Sequence, residues 1–333
     1  MTSASSANRL VYGFWPYWIP TDSYQPDWSC LDYVCYFSLD ANSDGTLNAD
    51  NIGAEYYIVR DTAHSLNVKV PLALTCFDQD IQDEILAYHK DDLAGNLARK
   101  LADLGADGVC IDFEDVRDTN SLTHDSNTSL MQVFMTALHD RLDSLNKNYH
   151  VSFCVLGNVE KVYRNSMLSK YTDAVVLMGY EYHWSTAPVT GAISPYNDAD
   201  QLDVEDSVDI LEKYYPRDKI ILGLPFYGYD WPCASAEPGA RTEGEGAIVY
   251  MNSAIANAGI YGRLWDSKSH TPWYKYQSKD TWHQCWYDDE ESLGLKFDYI
   301  ISEKLAGPGF WALGYEGSDA SVWNLIKRKF NWH

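Results

Sequence analysis

No stretch of this chain approaches the roughly 18 consecutive apolar residues of a membrane-spanning helix, so no span is expected. Basic residues are scarce: 25 Lys and Arg stand against 48 Asp and Glu, a formal net charge of -23. A nucleic-acid groove needs clustered Lys and Arg, so nucleic acid is excluded as a partner. The acid excess reads as solubility or adaptation to salt, and a neutral substrate would tolerate it. Cysteine is sparse and unpatterned. Seven occur, Cys30, Cys35, Cys76, Cys110, Cys154, Cys233 and Cys285, with no CxxC among them. Zinc-site spacing is missing too, so neither a metal nor a cofactor is expected. Cys35, Cys76, Cys110 and Cys154 fall in apolar runs and read as small buried hydrophobes, while a Cys233–Cys285 bridge stays open. The opening MTSASSANRL lacks the apolar core of a secretory leader, which fits either a trimmed chain or a cytoplasmic protein. No internal repeat or low-complexity stretch is evident.

What is present is a regular alternation. Short apolar runs at 10–15, 33–39, 70–75, 107–113, 150–156, 174–180, 219–225 and 308–313 read as strands. Amphipathic stretches at 81–105, 129–146, 203–215 and 290–305 read as helices between them. Eight nearly continuous apolar strands alternating with helices predict an α/β fold, a (β/α)8 barrel. The spacing breaks once. Phe226 to about Ala306 is rich in Gly, Trp, Tyr and charge, too long for a structureless loop. The expected organisation is therefore a barrel from 9–229 and 300–333, with a small α+β insertion at 230–299 between strands seven and eight.

The fourth strand carries the most chemistry, in ADGVCIDFEDV at 106–116. Side chains alternate along a strand, so Val109, Ile111 and Phe113 share one face and Cys110, Asp112 and Glu114 the other. In a barrel that second face points inward, and Glu114 comes last, at the C-terminal end where barrel active sites lie. Burial there raises a carboxyl pKa, as a general acid working near neutrality requires. A lone D-x-E can equally be an ion-pairing or metal-binding pair, but no His ligands lie nearby. Two acids leaving one strand on the same side are poorly placed to face each other across a sugar ring. That hints at a nucleophile from elsewhere, the substrate itself included, although Glu181 or Asp230 could supply an opposing carboxylate.

From these residues onward the chain resembles glycoside hydrolase family 18, the chitinase-like hydrolases. Their DGxDxDxE signature is matched by Asp107-Gly108-Val109-Cys110-Ile111-Asp112-Phe113-Glu114 everywhere except Cys110. Met178-Gly179-Tyr180-Glu181 is similar to the family's MxYD on strand six. KIILGLPFYGYDW (219–231) resembles its strand-seven motif, and GPGFWALGYEG (307–317) its eighth strand with Trp311. QCWYDDEESLGLKFDY (284–299) resembles the segment leading into that strand. The resemblance runs from about residue 9 to the end.

It implies a retaining hydrolase of β-1,4-linked N-acetylglucosamine polymers, most simply chitin and its oligosaccharides. Glu114 would protonate the glycosidic oxygen, and the substrate's own acetamido oxygen would act as nucleophile, forming an oxazolinium ion, a noted exception to the two-carboxylate scheme. Asp112 would orient the acetamido N–H and Tyr180 hold the acetamido oxygen. Trp311 would floor the sugar, with Glu181 and Met178 lining the site. Tyr12, Phe14, Trp15, Tyr17, Trp18, Trp184, Tyr227, Trp231 and Trp273 are candidate sugar-stacking rings; His183 is expected to play no catalytic part. A monomer acting outside the cell or at the cell wall is implied. Cys110 replaces the first Asp of DxDxE, so Asp112 is expected to ionise more readily and the pH profile to shift. Glu181 replaces the usual Asp. The alternatives are a peptidoglycan or spore-cortex N-acetylglucosaminidase, whose branch the opening YGFWPYW and the missing first Asp resemble, and a chitinase-like lectin that binds without cutting.

Overall fold

The computed structural model describes residues 9–145, 148–318 and 320–330. The MTSASSAN part of the opening, the predicted helix end at 146 and, within the expected barrel, residues 319 and 331–333 lie outside them.

Eight parallel strands close on themselves. They are β1 (Tyr12–Pro16), β2 (Tyr33–Ala41), β3 (Pro71–Cys76), β4 (Gly108–Phe113), β5 (His150–Leu156), β6 (Ala174–Met178), β7 (Ile220–Pro225) and β8 (Gly307–Trp311). Each pairs with the next, and β8 pairs with β1 to complete a (β/α)8 barrel. All eight predicted strands are present, with ends shifted by a residue or two. Helices at Ala54–Ser65, Lys90–Leu104, Asn127–Asp143, Val204–Leu211, Glu290–Ser302 and Ser321–Phe330 pack outside. The helix predicted at 81–105 is divided: Gln79–Glu84 and Lys90–Leu104 flank a wider turn at Ile85–His89. Between β1 and β2 and between β5 and β6, short 3-10 turns such as Trp28–Cys30 and Lys161–Tyr163 take the place of a full helix.

Alternation sorts the core into two layers. Outward residues such as Val109, Ile111 and Phe113 join the large apolar shell beneath the helices. Inward residues form a separate plug of Tyr12, Phe14, Cys35, Ala73, Cys110, Cys154 and Val176 among others. The strands approach closely at Gly108, where a Cβ would stand 2.0 Å from the His150 carbonyl oxygen. That contact is why the motif carries glycine there.

A second, antiparallel sheet uses Tyr227–Cys233, Ala247–Tyr250, Leu264–Asp266, Thr271–Ser278 and Thr281–Trp286, with the helix Met251–Tyr261 against it. The chain returns toward β8 through Asp288, whose Oδ1 accepts from Lys296 Nζ at 2.5 Å with both side chains fully buried. Asp289 caps the next helix reciprocally with Ser292, satisfying its first free N–H groups.

All seven cysteines are free and buried. The open possibility of a Cys233–Cys285 bridge is thereby corrected: Cys285 pairs with Asp230 and Cys233 with Trp282. Three residues of offset along a sheet is about 10 Å, beyond the reach of a disulfide. No helix among the described residues is long and apolar enough to cross a membrane.

Candidate active site

The C-terminal ends of the barrel strands surround a cavity of about 260 Å³. Asp112 on β4 and Glu114 just beyond its end reach it together with Met178, Tyr180, Glu181, Phe14 and Trp311. Phe37, Phe77, Cys154 and Leu156 complete its wall; the sequence reading had not singled these out as lining, although Phe37, Cys154 and Leu156 occupy inward positions of their strands. The Trp311 ring is packed edge-on by Phe37 (centroids 4.8 Å) and flanked by Phe14 (5.9 Å) and Trp18 (6.3 Å). A wider cleft of about 640 Å³ adjoins the cavity through Glu114, Leu156, Tyr180 and Glu181 and extends past Asp115, Asn158, His183 and Trp184. Trp184 is 48% exposed, a flat ring offered to solvent.

Burial dominates the electrostatics. Glu114 is pushed up from 4.5 to about 7, first by loss of solvent and then by the charges of Glu181 and Asp115. Such a carboxyl keeps its proton into the neutral range. Asp112 is also held well above the usual carboxylate range, by burial first and by the Glu114 charge second. The expectation of easier ionisation compares Asp112 with one beside a second carboxyl at position 110; for Asp112 as it stands desolvation leads, and Cys110 is itself a further cause that raises it. Asp112 Oδ1 has no hydrogen-bond partner and no solvent contact. A buried acceptor left bare is costly, and Asp112 is part of the cavity wall. Beneath it, Cys110 Sγ lies 3.5 Å from Cys154 Sγ. Thiols thus occupy the place where a second carboxyl would share a proton.

Glu181 is fixed from the second sheet. Its Oε1 accepts from Tyr227 OH (3.0 Å) and Tyr229 OH (2.9 Å), and its backbone is left-handed, φ 60°. That conformation is uncommon for a residue with a Cβ and is often found at functional sites.

The aromatic candidates divide. Phe14 and Trp311 line the cavity, while Tyr17 and Trp18 stand 43% and 41% exposed on the same loop. Trp15 does not reach the cavity. It is one residue out of phase with Phe14, so alternation turns it outward to stack on Trp28 and pack against Tyr24. Trp231 is fully buried, its indole donating to the Ser185 carbonyl (3.0 Å). Trp273 stacks on Trp286 inside the second sheet. Tyr12 lies in the plug deep in the barrel. Tyr227 is buried and serves Glu181, not the cavity surface. Asp230 faces away, accepting from Tyr276 OH at 2.6 Å. His183 borders the cleft with Nδ1 2.9 Å from the Ala192 carbonyl, and burial lowers its pKa. Among the described residues no group of three or more His, Cys, Asp or Glu side chains could hold a metal ion.

Comparison with known proteins agrees with this architecture. The sequence model of the glycosyl hydrolases family 18 matches residues 11–316. Human di-N-acetylchitobiase is 24% identical over 251 residues, 67% of this chain and 64% of the human protein. The rat and mouse counterparts are covered over 60% of their lengths, so the chain matches under two thirds of each of these relatives. The cortical fragment-lytic enzyme of Bacillus anthracis is 23% identical over 315 residues, 90% of this chain and 68% of that protein. Among solved structures, the Bacillus cereus spore cortex-lytic enzyme SleL superposes with a TM-score of 0.78 at 21% identity, covering 97% of this chain and 74% of that one. The Ostrinia furnacalis Group IV chitinase in complex with allosamidin gives 0.83 at 17% identity, covering 96% and 98%. At such identities the structural likeness speaks for the fold alone.

Proposed function

This chain belongs to the glycosyl hydrolases of family 18, and from that premise we propose that it cleaves β-1,4-linked N-acetylglucosamine polymers, retaining the anomeric configuration through participation of the substrate's acetamido group. The observation that carries this reading is that Asp112 at the end of β4 and Glu114 just beyond it line one cavity, with burial raising Glu114 to about 7 and Asp112 Oδ1 buried without a partner. An acetamido N–H supplies the missing donor. Once ionised, Asp112 also opposes the positive charge that develops on the ring, electrostatic stabilisation by a group already in place.

In the first step Glu114 gives its proton to the glycosidic oxygen as the C1–O bond breaks. The acetamido oxygen bonds to C1 from the opposite face, giving an oxazolinium ion, and the shortened chain departs as an alcohol. In the second step ionised Glu114 takes a proton from water, whose oxygen attacks C1 and reopens the ring with net retention. Tyr180, at the junction of cavity and cleft, is positioned to hold the acetamido oxygen. Trp311 offers its face to the sugar's C–H surface. The second sheet, which we take as a unit inserted at about 230–299, walls the cleft. It is joined to the β6 loop by Trp231 to Ser185 and by Thr190 Oγ1 to Gln284 Oε1 (2.8 Å).

Defined N-acetylglucosamine oligomers test the reading, with NMR of the anomer first released. A β-anomer and inhibition by an oxazolinium mimic support it; an α-anomer overturns it. The relatives named for spore-cortex lysis favour a second reading, an N-acetylglucosaminidase of peptidoglycan, which comparative rates on chitooligosaccharides and cortex muropeptides separate. A lectin role is disfavoured because Glu114, Asp112 and Tyr180 are all in place. No partner beyond the glycan is proposed, and the chain is taken to act as a monomer outside the cell or at the wall.

A further inference from the structure

The turn that carries Glu114 leaves β4 immediately, so no sheet partner fixes its backbone beyond Phe113. Four side chains from other elements do so instead. Tyr163 OH donates to the Phe113 carbonyl at 2.7 Å. Gln82 Nε2 donates to the Glu114 carbonyl at 2.7 Å. Gln79 Nε2 donates to the Asp115 carbonyl at 2.6 Å. The Val116 N–H donates to Glu160 Oε1 at 3.3 Å. Asp115 between them is left-handed, φ 55°, a conformation that persists only where surroundings impose it.

Gln82 and Glu160 do more than occupy one backbone group each. Gln82 is fully buried, and its Nε2 also donates to the Cys76 carbonyl at 2.7 Å. One amide nitrogen thus ties the ends of β3 and β4 together. Its Oε1 has no partner, so the residue is kept for its donors. The second oxygen of Glu160 accepts from the Leu156 N–H at 3.4 Å, which ties the end of β5 to the turn after β4. Neighbouring Asp83 is also buried and accepts from Arg117, Ser121 and Asn127, holding the next loop.

We propose that Gln82 and Glu160 are positioning residues for Glu114, fixing its backbone from the β3 side and the β5 side so that its carboxyl meets the glycosidic oxygen. The proposal rests on the reading of Glu114 as the proton donor. Displacement of a reacting group by about 1 Å can cost on the order of a hundredfold in rate, whereas substrate contacts made by Trp311 and Trp184 would be untouched. Loss of the frame is therefore expected in kcat and not in KM.

The test uses Gln82→Met, Gln82→Glu, Glu160→Ala and Glu160→Gln in the full chain, with Glu114→Gln alongside and thermal unfolding followed for each. Gln82→Met, of similar volume but without donors, should lower kcat about 10- to 100-fold with KM within about twofold, measured well below its unfolding temperature. Gln82→Glu should recover activity at acid pH, where its carboxyl can donate, and lose it as that carboxyl ionises against two carbonyl oxygens. Glu160→Ala should cost about 3- to 10-fold in kcat, and Glu160→Gln, which keeps an acceptor, less. If Gln82→Met stays folded with kcat unchanged while Glu114→Gln is inactive, the positioning role is refuted and the acid assignment stands. If Glu114→Gln keeps full activity, the assignment and the proposal fall together.

Discussion

Replacing Glu181 by Gln should lower the pH at which activity falls on the basic side. Glutamine keeps the oxygen that accepts from Tyr227 and Tyr229 and removes only the charge. Glu114 sits at about 7 because burial and then Glu181 disfavour its ionised form. For a charge on the order of 10 Å away in an effective dielectric of about 20, the interaction is ~1.7 kcal/mol, a little over one pH unit before screening by the open cleft. The expected fall is therefore ~0.5–1 pH unit. The sign follows directly: the acid form of Glu114 does the first chemistry, and a lower pKa depletes it at lower pH. At pH 7 the protonated fraction would drop from about one half to about one in eleven for a full unit, roughly a fivefold loss of rate. At pH 5 both proteins keep Glu114 mostly protonated and should differ little from this cause. The assay is kcat/KM against pH on a chromogenic chitooligosaccharide, which reports the free enzyme. Any change in KM from a lost sugar contact scales the whole curve and leaves the position of the limb readable. A basic limb that stays put within about 0.2 pH unit would refute the claim that Glu181 sets the acid's working range.

Glu114→Gln should cost about 10²- to 10⁴-fold in kcat with an unchanged far-UV spectrum. Cys110→Asp should create a carboxyl pair with Asp112 that shares one proton. The singly charged pair would then form at lower pH than lone, buried Asp112 ionises, moving the acidic limb of the profile down; an unmoved limb counts against the part given to Asp112. Trp311→Ala should weaken binding of short oligomers about tenfold, read by calorimetry on an inactive Glu114→Gln background. Lys296→Met should destabilise the fold by about 3–5 kcal/mol because Asp288 is left charged and unpaired, and the double change with Asp288→Asn should recover much of it, as denaturant midpoints will show.

The barrel was legible because parallel strands covered on both faces are apolar almost throughout, which is why β5 was placed to the residue and the others nearly so. Asp112 and Glu114 were legible because they interrupt such a run in phase with each other. The same phase rule separates Phe14 from Trp15, since adjacent residues of one strand cannot both face the cavity. Reading aromatic composition instead of parity placed Trp15 in the wrong layer. Trp231 and Trp273 were misplaced for another reason: a tertiary contact, such as that of Trp231 with Ser185, decides which face of the second sheet is covered. Nothing local marks Gln82, whose two carbonyl partners come from the ends of two different strands. Tyr229 carried a faint signal, two residues from Tyr227 and so on the same face, but its partner Glu181 is distant in sequence. The desolvation that raises Asp112 depends on what closes over it and could not be read from a missing neighbour.

Every one of the seven thiols is buried, none more than 6% exposed. Maleimides attack exposed thiolates, and burial holds thiols such as Cys76 and Cys30 at about 11. The native surface is therefore silent to such reagents while the protein stays folded. A single cysteine introduced on the rim, at Ser185 for instance, would be the one site a fluorophore finds. Sugar entering the cleft could then be followed in real time without first stripping the chain of its own sulfur.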